Sequence, residues 1–288
     1  MFIRKRHIVL KFLFAMTAAL CLSSCIYEND SMCVQYNVAH QLVDTAGTVL
    51  PDSLTEGLKA YLYIDGKFSH IITTSNDGRF EISFYKNATV SLVLMAFQKN
   101  TGNKGLKEPA VGDSIENHAL SISSGSDFEN FYYGRFNYTP NSSKEIERPL
   151  ISLNNMRARV HVWVKKLNAM FGDKGRYTVE LSGLHSSFTF AGNTDGDRII
   201  ATPSVKFLDN GDMLSDKVNT WPTKTGESIT LSILRDGNTI WKSNLDSTGK
   251  PVTLSAGDDK VFMVDCSQMN TGITVLPWSK YSQNLIFY

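Results

Sequence analysis

Short segments in which apolar and polar residues alternate run through most of this chain of 288 residues. The clearest is RARVHVWVKKL at 157–167, where Ala158, Val160, Val162 and Val164 occupy every second position. A period of two with one apolar face is typical of a half-buried β-strand. The valines are therefore predicted to face a core. The opposite face, predicted to be solvated, carries Arg157, Arg159, His161, Trp163 and Lys165.

Similar β-rich runs recur along the chain, and no helical stripe of convincing length interrupts them. Asp-Gly dipeptides at 65–66, 77–78 and 236–237 follow or separate such runs. They favour hairpins, because glycine tolerates the positive φ that a tight turn requires. Many short predicted strands separated by turn residues indicate an all-β fold of sandwiches or barrels. The other predicted strands are 33–43, 58–64, 67–73, 79–85, 88–97, 176–184, 186–192, 227–235, 238–243, 260–265 and 272–278.

The length fits two sandwiches of about 120 residues each better than one. A polar segment bounded by prolines, TPNSSKEIERP at 139–149, indicates a boundary near residues 140–155. We therefore expect an N-terminal β-sandwich at 25–150 and a C-terminal β-sandwich at 151–288, after a leader at 1–24.

The leader has a basic head with Arg4, Lys5 and Arg6, and then an apolar core at 12–22. This core is shorter than the roughly 20 apolar residues that a membrane-spanning helix needs, and the order of segments is that of a secretory signal. The following LSSC at 22–25 resembles a bacterial lipobox. In such signals the cysteine, here Cys25, becomes the first mature residue and carries lipid on its thiol. An ordinary signal peptide with an incidental cysteine is the alternative.

Composition and motifs exclude several functions. The formal net charge is +1, and no basic patch suggests a nucleic-acid partner. No nucleophile elbow, zinc-protease motif or phosphate-binding loop occurs, so we predict neither an enzyme nor a cofactor. NTDGDR at 193–198 begins like a calcium loop, but its glycine comes too early, so a turn is predicted instead of a metal site. Cys33 and Cys266 could pair in an oxidising envelope or remain as two buried thiols.

An aromatic run, FENFYYGRFNY at 128–138, allows two interpretations. Exposed rings could form a platform on which sugars stack. Core packing is the favoured interpretation, because aromatic side chains bury large apolar areas on folding.

Five segments, taken in order, carry a resemblance to a known family: CIYENDSMC at 25–33, LKAYLYIDGKFSHI at 58–71, NFYYGRF at 130–136, ISLNNMRARVHVWV at 151–164 and TVLPWSKYSQNLIF at 274–287. They resemble the fimbrial anchor lipoproteins of Bacteroidetes (FimB-like). The resemblance implies two tandem transthyretin-like β-sandwiches, a lipid anchor in the outer membrane and a position at the base of a polymerised fimbrium. It implies fimbrial shaft subunits as partners and no small-molecule substrate.

The distribution of basic residues favours an anchor over a shaft subunit. Shaft subunits of such fimbriae are matured by proteolysis after Arg or Lys, which releases the lipidated first strand. From Cys25 to Leu58 there is no Arg or Lys, and the first basic residue, Lys59, lies in a predicted strand. We therefore expect the lipid to stay attached. The alternatives are a surface glycan-binding lipoprotein or another accessory or tip subunit of a fimbrium.

The C-terminus is apolar to its last residue, whereas chain ends are usually polar and frayed. Such a segment needs a sheet or a groove to cover it. It could close its own domain, or it could act as a strand that pairs with a neighbouring subunit. In the second interpretation the partner-binding residues of this C-terminal strand are Val275, Trp278, Leu285, Ile286 and Phe287.

Overall fold

The structure is a computed structural model that describes residues 33–99, 106–121, 130–140 and 148–285. Within those ranges the chain forms nineteen β-strands and two short α-helices, which confirms the predicted all-β class. The leader and Cys25 lie outside the described residues, and so do Ile286 and Phe287.

Eight strands from the first half of the chain form one large sheet. The order is β2-β1-β9-β8-β6-β3-β4, and β5 pairs with the first part of β1. The first strand thus changes partners along its length, which folds the sheet into two layers around a core. The strands are β1 (Cys33–Val43), β2 (Val49–Leu50), β3 (Thr55–Ile64), β4 (Lys67–Ile72), β5 (Phe80–Tyr85), β6 (Val90–Gln98), β8 (Phe131–Tyr138) and β9 (Leu150–Asn155).

The remaining strands form two further sheets. One has the order β13-β14-β10-β18-β19, with β15 also paired to β10. The other has the order β12-β11-β16-β17, with β7 paired to β11. The elements are β7 (Ala119–Ser121), β10 (Ala158–Lys165), α1 (Leu167–Phe171), β11 (Tyr177–Thr189), β12 (Thr194–Ala201), β13 (Val205–Phe207), β14 (Met213–Ser215), β15 (Val218–Thr220), β16 (Thr230–Arg235), β17 (Asn238–Ser243), β18 (Asp259–Asp265), β19 (Thr274–Pro277) and α2 (Trp278–Leu285).

Two apolar cores follow from this arrangement. The first lies inside the large sheet and includes Val38 and Leu42 of β1. The second lies between the other two sheets and includes Val160, Val162 and Val164, whose exposed fractions are 0%, 1% and 0%. The prediction that these valines face a core is therefore confirmed, because the strict alternation places all three on one side of β10.

A third, mostly aromatic core joins the two halves of the chain. Tyr61, Tyr63 and Phe131 of the large sheet pack in it with Phe188 and Trp221 of the second half. Both rings from the second half are about 1% exposed. The halves therefore share an interior, in which edge-to-face ring pairs add to the apolar burial.

Arg157, expected on the solvated face of β10, is instead fully buried beside this aromatic core. Its guanidinium lies 4.7 Å from the ring centroid of Trp221, a cation–π distance. Burial lowers the pKa of Arg157 to about 9, so the group stays charged at neutral pH. The expectation failed because the alternating pattern was extended one residue before the strand begins at Ala158.

The division into two domains stays a prediction, and the sheet pairing suggests where to place it. β9 pairs with β1 and β8 of the large sheet, whereas β10 belongs to the second half. We propose that the first domain extends to Asn155.

Candidate partner-binding site

The candidate partner-binding segment begins at the edge of a sheet. β19 pairs antiparallel with β18, so that Val275 lies opposite Phe262 and Leu276 opposite Val261. It is the last strand in the order of its sheet, and none of its four residues is fully buried. The prediction of a strand near 272–278 is confirmed for these four residues. A short edge strand of this kind has one hydrogen-bonding side paired within its own sheet.

The predicted C-terminal strand gives way to a helix after Pro277. Trp278–Leu285 is the α-helix α2, so an extended conformation is wrong for these eight residues. Pro277 has no N–H to donate to a ladder, which limits the strand at this point. Trp278, Tyr281 and Leu285 follow at i, i+3 and i+7, the spacing of one helical face. That short stripe was the signal in the sequence that could have predicted the helix.

Aromatic contacts fix α2 to the outer face of β10. The ring of Trp278 stacks on His161, with centroids 3.9 Å apart and planes 15° apart. Tyr281 packs against Trp163 at a centroid distance of 4.7 Å and is only 2% exposed. The solvated face predicted for β10 is therefore wrong at His161 and Trp163, because α2 covers it. Further members of this cluster are Leu214, Val261 and Leu276.

Polar contacts hold Trp163 in the orientation that receives the helix. Its indole N–H donates to Asp212 Oδ2 at 3.0 Å, and the other carboxylate oxygen accepts from the backbone N–H of Lys166 at 2.9 Å. Lys165 Nζ lies 5.0 Å from the indole centroid, within cation–π range. The face under α2 is thus a preorganised aromatic surface.

Burial under α2 changes the acidity of His161. Desolvation lowers its pKa, and the positive charges of Lys217 and Arg159 act in the same direction. The backbone carbonyl of Ser215 and the carboxylate of Asp259 oppose this effect without cancelling it. The neutral imidazole is therefore favoured in this packed arrangement.

The other end of the described chain is built differently. Residues 33–38 of β1 pair with β5, and residues 39–43 pair with β9 and β2. Val38 and Leu42 are 0% and 1% exposed. Lys59, the first basic residue after Cys25, lies inside β3 as predicted and forms an ion pair with Glu108. The strand that follows Cys25 is thus an integral part of the sheet.

The structure places the predicted partner-binding residues in different settings. Val275 is half-buried in β19, Trp278 is half-buried in α2, and Leu285 ends α2. Ile286 and Phe287 lie outside the described residues. Sequence reasoning missed Tyr281 as a member of the site, and it did not connect His161 and Trp163 with the C-terminus.

The aromatic run at 128–138 and the NTDGDR segment have structural roles in the residues that the structure describes. The rings of Phe131, Tyr132, Tyr133 and Phe136 are at most 9% exposed, which confirms the core interpretation of this run. The turn predicted for NTDGDR is wrong, because the turn lies just before it at 190–192 and β12 begins at Thr194. Asp195 pairs with Lys224 at 2.9 Å. In the part of the chain that the structure covers, no cluster of three His, Cys, Asp or Glu could hold a metal.

Cys33 and Cys266 do not form a disulfide with each other in this structure. Cys266 is buried in the second core, where desolvation raises its pKa to about 11. Cys33 is half-buried at the start of β1. The buried-thiol interpretation therefore holds for Cys266, and the pairing alternative is not what the structure contains. Among the described helices, none has the length and apolarity to cross a membrane.

A profile of the family described as "Fimbrillin-A associated anchor proteins Mfa1 and Mfa2" matches residues 53–284. This span covers most of the chain and includes β19 and nearly all of α2. The chain belongs to this family, and the resemblance seen in the sequence is confirmed. A fimbrial anchor or accessory role follows from that membership.

Solved structures share the fold at low sequence identity. The fimbrial anchor protein Mfa2 of Porphyromonas gingivalis superposes with a TM-score of 0.57 and 15% identity, covering 84% of this chain and 96% of that one. A candidate adhesin of Bacteroides ovatus gives 0.54 and 11%, covering 84% and 93%. A candidate polysaccharide-binding protein of Bacteroides thetaiotaomicron gives 0.55 and 12%, covering 81% and 92%. No curated protein matches the sequence significantly.

Proposed function

We propose that this protein is the lipidated outer-membrane anchor subunit at the base of a fimbrium. Lipid on Cys25 would hold it in the membrane, and its C-terminal segment would bind the polymerised shaft by β-strand addition. It acts as a structural subunit, without catalysis, cofactor or small-molecule substrate.

The integration of β1 carries this proposal. A strand that is paired along its whole length, first with β5 and then with β9, and that buries side chains can transmit load from a lipid at Cys25 into the first core. The preceding segment offers no Arg or Lys at which a basic-specific protease could release the lipid. The first strand thus fills its own place in the sheet, and the C-terminal segment is what remains to offer to a partner.

In the proposed binding step, the segment that starts at β19 pairs with an open sheet edge of a shaft subunit. Backbone hydrogen bonds would supply affinity, and alternate side chains would fill pockets. Val275, Trp278, Leu285, Ile286 and Phe287 are the residues proposed to make these contacts.

Deleting residues 279–288 in the cells that make the fimbria tests this function. We expect a folded, membrane-bound protein that no longer retains fimbriae, measured as the ratio of cell-bound to shed fimbriae. The matched control is the full-length protein with Ser279→Ala, an exposed position of the same segment. An unchanged ratio in the deletion strain would contradict the donor role.

The N-terminus provides the complementary measurement. Mass spectrometry of the protein from the same cells should find Cys25 as the first residue, with acyl chains attached. A mature N-terminus beyond Lys59 would identify a processed shaft-type subunit instead of an anchor.

A further inference from the structure

The C-terminal segment is folded back along its own sheet. β19 runs antiparallel to β18, and Pro277, its last residue, lies opposite Lys260. Lys260 in turn pairs with Val160, near the start of β10. α2 therefore begins near the N-terminal end of β10 and continues along that strand from His161 to Trp163.

The attachment of this segment is limited. β19 contributes four residues to the ladder, none of them fully buried. An eight-residue helix is too short to be stable alone in water, so α2 depends on its docking contacts. Those contacts are chiefly the stack of Trp278 on His161 and the packing of Tyr281 on Trp163.

The helical conformation is incompatible with strand addition. The eight residues of α2 span about 12 Å as a helix, and about 26 Å as an extended strand. A neighbouring sheet edge can pair with these residues only after the helix leaves β10 and unwinds.

We propose that α2 is a strap that keeps the C-terminal segment on its own sheet until a shaft subunit takes it. His161 and Trp163 form the surface that holds the strap. This inference rests on the proposed function, since it describes how the same C-terminal segment is kept from binding early. Substitutions at His161 or Trp163 should make the C-terminal segment available to a shaft subunit sooner. They leave the sequence of that segment unchanged.

The first experiment measures release of the strap with trypsin. Lys280 lies within α2, and cleavage after it removes residues 281–288, a loss that mass spectrometry reads directly. His161→Ala and Trp163→Ala each remove one docking contact from the sheet side. We expect cleavage after Lys280 to accelerate by about tenfold in each variant, because local opening exposes the site. The matched control is Arg159→Ala, on the same face of β10, where Arg159 pairs with Asp259 at 3.4 Å.

Cleavage elsewhere in the chain separates strap release from misfolding. Sites in the body should be cut at the same rate in the variants and in the unmodified protein. His161→Ala and Trp163→Ala remove different rings. If one variant misfolds, the cleavage rate after Lys280 in the other still tests the strap. Unchanged cleavage after Lys280 in a folded variant would overturn the strap.

The second experiment measures binding of shaft subunits obtained from fimbriae sheared from the same cells. Trp163→Ala keeps the C-terminal segment intact, so we expect complex formation about tenfold faster than with the unmodified protein, to the same final extent. Faster cleavage with unchanged binding rates would overturn the gating role while leaving the anchor function in place. Binding by neither protein would overturn the proposed function itself, whatever the cleavage result.

Discussion

The two ends of the described chain differ in how they belong to their sheets. All eleven residues of β1 are paired, first with β5 and then with β9, and the strand contributes Val38 and Leu42 to the first core. β19 has its place at a sheet edge and continues into a helix held by two aromatic contacts. The first arrangement suits an end that stays in place permanently, and the second suits an end that can be exchanged. The proposed fixed and removable attachments thus correspond to two ends of the chain that differ in pairing and in burial.

The largest effect is expected on membrane attachment, when the proposed lipid site at the N-terminal end is removed. A single acyl chain gives only marginal membrane binding, whereas two or more give stable anchoring. Cys25→Ala should therefore release the protein from the membrane fraction or leave it with an uncleaved leader. Fractionation followed by immunoblotting measures both results. Normal processing with full membrane retention would exclude a lipid anchor at Cys25.

The contrast between the two ends predicts unequal tolerance of a buried charge. Val38→Asp places an unpaired carboxylate in the first core and should cost several kcal/mol of unfolding free energy. Val275→Asp lies on a half-buried edge strand, where the new charge can reach water, and should cost clearly less. Urea unfolding of both variants gives the comparison. Equal losses would mean that β19 is as integral as β1.

The aromatic junction between the halves predicts the next effect. Trp221→Ala removes a ring that packs on Phe131 and Phe188, and we expect a loss of about 3–5 kcal/mol. Because the rings of both halves share this core, we expect loss of cooperativity between the halves. Far-ultraviolet circular dichroism and tryptophan fluorescence should then report separate unfolding transitions. A single coincident transition in a destabilised variant would show that other contacts suffice to couple the halves.

Much of this architecture was readable from local pattern. The alternation in β10 identified its buried valines, and the dipeptides at 65–66 and 236–237 located the β3–β4 and β16–β17 hairpins, because both signals depend on the period of a strand and the conformational freedom of glycine. The hairpin predicted at 77–78 is reduced to a single bridge between Thr74 and Phe80, since β5 pairs with β1 and not with β4. What covers the outer face of β10 was not readable, since that depends on a helix more than a hundred residues later. The predicted strand is a helix here because Trp278, Tyr281 and Leu285 recur at the spacing of a helix and not at every second position.

Arg157 shows a second limit. In the sequence it continues an alternating series of cations, and only the three-dimensional packing of Trp221 makes a buried guanidinium acceptable there. The anchor interpretation had a different basis. It came from a succession of weakly specific segments and from the absence of basic residues before Lys59, and strand periodicity alone could not have supplied it.

The smallest predicted effect is a pH dependence of α2 docking at the C-terminal end. In the docked state desolvation lowers the pKa of His161 below its ordinary value near 6.5. Since undocking of α2 removes the Trp278 ring that covers one face of the imidazole, we expect the undocked state to bind the proton more tightly. Above the ordinary pKa both states carry a neutral ring and docking is at full strength. As the pH falls below that value, docking should weaken until the lowered pKa is passed, and then level off.

Amide hydrogen exchange of the 278–285 peptide, read by mass spectrometry and corrected for the intrinsic rate at each pH, measures this weakening. The charges around the ring set its size: Lys217 and Arg159 favour the neutral form, and Asp259 opposes them. His161→Phe is the matched control, because a phenyl ring can still stack on Trp278 but cannot titrate. We expect protection of the helix to fall on acidification in the unmodified protein by less than the loss caused by Trp163→Ala, and to stay constant in His161→Phe. The same decline in both proteins would assign the pH dependence to a group other than His161.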